Sequence, residues 1–234
     1  MDELERMARD FYGYGRWDAP YWFIGLEQGG TNNDARAKAF RELQSNGLCD
    51  CKRFHEMIGV EEWHGDDAEV QKTWGRLMML LLSFLGSNMN LLEYQCKKWG
   101  AENGETCVIE LNGLSAAGLH IKVDRKTYLS ERINIIRRKL IENSPQLVVM
   151  YGFTGEKCFR EIAGCNLPRG GGTQHDKTLF LFADHPARQR RGNTDKAWRD
   201  FGVVARARKG RTGSFCSVLE EPVEGLLALS KDTA

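Results

Sequence analysis

The chain is 234 residues long, 41% hydrophobic and 28% charged, with a formal net charge of +1. That length and apolar content suffice for one domain, residues 1–234, with a sizeable core. A neutral chain excludes recognition of a polyanion by a global field, and no apolar run is long enough for a transmembrane helix.

The opening Met1-Asp2-Glu3-Leu4-Glu5 is acidic where a secretory signal is basic and then apolar, so a cytoplasmic protein with seven reduced cysteines is expected. The first buried strand is expected at Trp22 to Leu26, an apolar run too short for a helix, leading into Glu27-Gln28-Gly29-Gly30. Cys49-Asp50-Cys51 follows, with His55 and His64 downstream. This Cys-x-Cys spacing differs from the Cys-x-x-Cys pairs common in metal sites, and no second pair answers it. Free, partly buried thiols and no metal are expected. After an acidic stretch from Glu61 to Glu69, the residues Trp74, Leu77, Met78, Leu81, Leu82 and Leu85 share one face of a helix.

Val108 to Leu111 is the second strand, ending on Asn112-Gly113, and Leu129, Ile133, Ile136 and Leu140 mark a further helix. Leu147 to Met150 is the third strand, followed by Tyr151-Gly152 and a helix over Phe153 to Ile162. Gly152 to Lys157 lacks phosphate-loop spacing, because no Ser or Thr follows the lysine. Arg169-Gly170-Gly171-Gly172-Thr173 reads as a connection between elements. Leu179 to Phe182 is the fourth strand, ending on Asp184-His185-Pro186, and Thr194 to Ala207 is the last helix. Between Arg188 and Arg211 stand nine Lys/Arg against Asp195 and Asp200, a candidate phosphate-contacting face or a solvated helix face.

Strands alternating with helices at these lengths predict an α/β three-layer sandwich, a central, mostly parallel four-stranded sheet flanked by helices. Ligands bind such sheets at the carboxyl ends of the strands. There the chain carries Glu27, Asn112 and His185, each just after an apolar strand. Alone, each has a plain explanation: a turn, a helix cap, a loop fragment.

Together and in this order they resemble the uracil-DNA glycosylase superfamily. Gly25-Leu26-Glu27-Gln28-Gly29 is similar to its first motif, with Glu27 at the water-activating position. Val108-Ile109-Glu110-Leu111-Asn112 looks like the strand that ends on a base-reading Asn. His185-Pro186-Ala187 resembles the second motif. The likeness spans about residues 19 to 200. It departs at Gln28, where the family usually has Pro, at Glu27 in place of the commoner Asp or Asn, and at Ala187 in place of Ser. Some members hold an iron–sulfur cluster through cysteines placed before the first motif; no Cys precedes Cys49, so no cofactor is expected.

The resemblance implies a DNA glycosylase, a monomer whose partner is DNA, that flips a nucleotide and hydrolyses its N-glycosidic bond to leave an abasic site. Glu27 would position water and steady the cationic sugar, and His185 would hydrogen-bond the departing base. Asn112, with a carbonyl and an amide on one plane, would read the base edge. Phe40, Trp22 and Phe23 are candidates for the stacking aromatic, or are simply core. Arg188, Gln189, Arg190 and Arg191 fall where relatives carry a DNA-penetrating loop. Gly29 stands where strict uracil enzymes have a Tyr that excludes C5 substituents. The implied substrate is therefore a C5-modified pyrimidine, such as glucosylated hydroxymethylcytosine of phage DNA, in anti-phage defence. Uracil or damaged-base repair, a non-catalytic nucleic-acid-binding protein and an N-glycosidase of free nucleosides are the alternatives.

Overall fold

The computed structural model describes residues 2–26, 28–30, 32–116, 124–188 and 192–215. In chain order the elements are α1 (Glu3–Asp10), β1 (Gly13–Gly15), β2 (Tyr21–Gly25), α2 (Asn33–Glu42), β3 (Leu48–Cys49), α3 (Cys51–Met57), α4 (Lys72–Leu85), α5 (Leu91–Lys97) and β4 (Thr106–Glu110). There follow α6 (Leu129–Asn143), β5 (Leu147–Tyr151), a 3-10 turn (Phe153–Gly155), α7 (Glu156–Ala163), β6 (Gly171–His175), β7 (Thr178–Ala183), α8 (Asp195–Arg208) and β8 (Gly213–Phe215).

The four expected strands are neighbours in the order β4-β2-β5-β7, and all three pairings are parallel. Phe23 pairs with both Val108 and Val149, and Val149 with Leu181. Every residue of these strands is buried, because side chains alternate between two covered faces. On one face Phe23, Val108, Val149 and Leu181 pack with α2, α3, α4 and α8. On the other Trp22, Ile109, Val148 and Phe180 pack with α6 and α7. Helices flank a central sheet.

The sheet itself corrects the expectation of four strands. Among the described residues it has eight and is mixed, in the order β3-β1-β4-β2-β5-β7-β6-β8. The outer strands are short or glycine-rich, so they carry no apolar run; backbone hydrogen bonding recruits them. In β1, Gly-Tyr-Gly, a Cβ on Gly13 would collide with the Val108 carbonyl of β4, so the missing side chain permits the pairing. The glycine-rich connection expected at 169–173 is in part β6, antiparallel to β7.

Helix α4 carries Leu77, Met78, Leu80 and Leu81 fully buried, each burial stabilising by about 1.5–3 kcal/mol. Gly202 of α8 crosses it so closely that any Cβ would strike the Leu80 carbonyl. Among the described residues no helix is long and apolar enough to cross a membrane.

One buried cation fixes the end of β4. Arg132 of α6 is 1% exposed and donates to the carbonyls of Leu111, Ala8, Arg9, Phe11 and Glu110, at 2.7–3.2 Å. Its guanidinium lies 4.3 Å from the Tyr12 ring centroid. Burial pulls its pKa down to about 10, so it stays charged at neutral pH. Gly113 lets α1 approach, since a Cβ there would meet the Met7 and Ala8 carbonyls.

Candidate functional site

The carboxyl ends of β2, β4, β5 and β7 open into a cavity of about 870 Å³. Leu26, Gln28, Gly29, Glu110, Tyr151, Phe153, Asp184, His185 and Arg188 line it from the strand ends, and Arg36, His55 and Trp74 line it from α2, α3 and α4, with Trp63 from the segment between α3 and α4. Each strand-end residue sits where its strand stops because the buried run before it fixes the register.

Tyr151 is the centre of the strand-end wall. Its hydroxyl lies 3.5 Å from Glu110 Oε1, and its ring meets His185 edge-on at 5.9 Å. Burial first, and then the neighbouring Glu110, push the phenol pKa well up, so Tyr151 is a neutral donor. Gly25 makes room for it: a Cβ there would overlap the phenol.

His185 presents its ring at the cavity mouth. Its Nδ1 accepts from the Ala187 N–H at 3.2 Å, which assigns the ring proton of the neutral form to Nε2. Surrounding protein lowers its pKa by desolvation, and Asp184 partly offsets this. The residue is nonetheless exposed to solvent, which tempers the shift without changing its direction. Asp184, 3% exposed, accepts from the His185 N–H at 2.8 Å and pairs with Arg188 at 3.4 Å. The turn is tied down by Asn193, whose Nδ2 reaches the carbonyls of His185, Pro186 and Arg188 at 3.3, 3.2 and 2.6 Å. Trp198 Nε1 donates to Asn193 Oδ1 at 2.6 Å, and Arg76 donates to the Pro186 carbonyl.

Glu27 and Gln189, Arg190 and Arg191 lie outside the described residues; their neighbours Gln28 and Arg188 line the cavity. Gly29 is in the wall, and a Cβ on it would meet nothing within 4 Å. Asn112 is half-buried, and its N–H continues the β4–β2 ladder to the Leu26 carbonyl at 2.8 Å. It is not among the described residues that line the cavity. Gln28 is, and both polar atoms of its side chain are buried without a hydrogen-bond partner among the described residues. It offers there the donor–acceptor pair that the resemblance assigned to Asn112.

Phe40 is not brought to this cavity. It is 1% exposed in α2, edge-on to Phe11 at 5.4 Å, because that face of α2 packs into the core; Trp22 and Phe23 are fully buried too. Besides Tyr151, the aromatic side chain that lines the cavity from the strand ends is Phe153, which packs edge-on to Phe182 at 5.1 Å under the Arg169 guanidinium. Its place directly after Tyr151-Gly152 was the available signal. Asn193 had none, since a lone Asn eight residues after His185 looks like any loop residue.

On the helical wall Arg36, 7% exposed, donates to the Tyr14 hydroxyl at 3.4 Å and stacks over Phe54. Beside it Cys51, His55 and His64 meet, all buried. Burial pulls the His55 pKa down to about 3 and that of His64 to about 4, so both rings are neutral at physiological pH.

No protein-family model matches this chain, and no curated protein does.

Proposed function

We propose that this protein is a DNA glycosylase of the uracil-DNA glycosylase type, hydrolysing the N-glycosidic bond of a flipped, C5-substituted pyrimidine and leaving an abasic site. The observation that carries the reading is the convergence of Gln28, Gly29, Glu110, Tyr151 and His185, from four parallel strand ends, on one cavity. Cleavage puts positive charge on the sugar and negative charge on the departing base. The neutral His185, with its proton on Nε2, is suited to hydrogen-bond a carbonyl oxygen of that base as the bonding pair leaves with it. Glu27 takes the proton of the water that adds to the anomeric carbon. Gln28 reads the base edge in the place first given to Asn112, and Phe153 stacks on the base.

The volume favours a large base. About 870 Å³ lies toward the upper end of the roughly 300–1,000 Å³ typical of drug-sized ligands, more than a bare pyrimidine occupies. The open space at Gly29 supports a C5 substituent, and hypermodified phage DNA is one source of such bases. Arg188 at the mouth, with Arg190 and Arg191 after it in sequence, supplies cations for the DNA backbone.

The test compares uracil-containing, unmodified and C5-glucosylated phage DNA, with released bases identified by mass spectrometry and abasic sites by alkaline cleavage. Release from the glucosylated DNA is the expected result. Release of no base from any of the three overturns the reading, and release of uracil alone overturns the substrate.

A further inference from the structure

Cys51 and His55 stand one turn apart on α3, at i and i+4, so their side chains share a face. The chain after α3 then brings His64 back to the same point. Cys51 Sγ lies 3.6 Å from His55 Nδ1 and 3.7 Å from His64 Nε2, and the two ring nitrogens are 3.2 Å apart. A tetrahedral zinc ion, with bonds of about 2.3 Å to sulfur and about 2.0–2.1 Å to nitrogen, requires S···N separations of about 3.6 Å and an N···N separation of about 3.3 Å. The three donor atoms already hold that triangle.

The surroundings fit an ion as well. Cys51 is fully buried, and His55 and His64 are only 5% and 6% exposed, so the three donors converge away from water. Tyr14 Oη lies 3.1 Å from His55 Nε2 and itself accepts from Arg36. A proton on Nε2 directed at Tyr14 leaves the Nδ1 lone pair facing Cys51 and His64. Metal-bound imidazoles usually make such an outer hydrogen bond, which orients the ring. Trp74 packs against both imidazoles at 5.5 and 6.0 Å, an apolar shell of the kind that surrounds buried metal sites.

We propose that Cys51, His55 and His64 bind one zinc ion, with water or a group from the cavity in the fourth position. No other described His, Cys, Asp or Glu belongs to the cluster, and His55 is itself part of the cavity wall. On binding, Cys51 releases its proton to solvent and coordinates as thiolate while both imidazoles coordinate neutral, so one proton leaves per ion. The ion clamps the segment after α3 onto that helix. That segment supplies Val60, Glu62 and Trp63 to the cavity, so zinc would hold the helical wall in shape. The site is independent of the glycosylase reading and stands or falls by metal binding alone.

The test strips the full chain with a chelator and titrates it with cobalt(II), then with zinc. One equivalent of cobalt should bind with the intense visible bands of a tetrahedral thiolate site. One equivalent of zinc should then displace it and raise Tm. Cys51→Ser should abolish the sulfur-to-cobalt band, and His64→Ala should weaken binding by at least about tenfold. Cys49→Ser, buried two residues away and outside the cluster, should leave both unchanged, which separates ligation from damage to the fold. Absence of stoichiometric cobalt binding by the folded wild-type chain overturns the proposal. So does a thiolate band that persists in folded Cys51→Ser or disappears in folded Cys49→Ser.

Discussion

The two walls of the cavity are built by different physics. The strand-end wall is made of residues that follow buried parallel strands, so the ladder of Phe23, Val108, Val149 and Leu181 sets their positions almost regardless of their own side chains. The helical wall has no ladder behind it. Arg36 donates to the Tyr14 hydroxyl, which lies against His55, and His55 in turn packs on Trp74 and on His64 behind it, so each depends on its neighbours. A wall set by backbone pairing can exchange side chains for chemistry at small structural cost, whereas a wall set by side chains cannot.

The largest effect should come from the support beneath the strand-end wall. Arg132→Ala leaves five carbonyls short of their donor and is expected to lower unfolding free energy by about 3–5 kcal/mol. Urea denaturation measures it. A loss below about 1 kcal/mol would show that the end of β4 holds without this cation, and the contrast between the walls would weaken.

His185→Ala probes chemistry on the same wall. Base release should fall by about 10²–10³ while Tm stays nearly constant, because the ring is exposed and its strand is set by pairing. The pH profile sharpens this. With its pKa lowered, His185 is neutral down through the ordinary histidine value of about 6.5, so release should stay flat from alkaline pH to that point and fall only on further acidification. A rate that climbs as the pH drops toward 6 would make imidazolium the donor and refute the neutral assignment.

Asn193→Ala acts on His185 through its turn. Three carbonyl contacts and the Trp198 hydrogen bond are lost, for an expected 1–3 kcal/mol, roughly, in stability. A positioning role predicts a fall in kcat with little change in KM, and a raised KM with kcat unchanged would assign Asn193 to substrate binding instead.

The smallest structural effect is expected at Gly29→Tyr, where the added side chain enters open space. Stability should change by no more than about 0.5 kcal/mol. Release of a C5-glucosylated base should drop steeply relative to uracil, and an unchanged ratio would mean that Gly29 does not border the C5 substituent.

How much of this was legible follows from the same contrast. The four central strands carry apolar runs, and the helices expected over 74–85, 129–140, 153–162 and 194–207 are present, the third starting at Glu156 after a 3-10 turn over Phe153–Gly155. Helices α1, α3 and α5 span only seven or eight residues, and α2 buries an Arg and two Ala beside Phe40, so none of the four presents a stripe of large apolar residues. Strands β1, β3, β6 and β8 carry no readable pattern because each is very short or rich in glycine and polar residues. Phe40 illustrates the limit for sites: its type suited base stacking, but it sits in the core, and Phe153 takes the cavity wall. Cys51, His55 and His64 show another: their sequence spacing matches no common metal motif, and only α3 and the path of the chain after it bring the three side chains together.

The amino-acid sequence by itself determined the parallel core and the fact that Gly29, Glu110 and His185 stand at strand ends, because burial imposes a local, periodic constraint on residue type. Only the tertiary structure decided that Gln28 rather than Asn112 faces the cavity, that Asn193 ties the His185 turn, and that Cys51, His55 and His64 meet. Those are relations between side chains set by loop paths and packing. Such relations leave no periodic trace in the residues that make them.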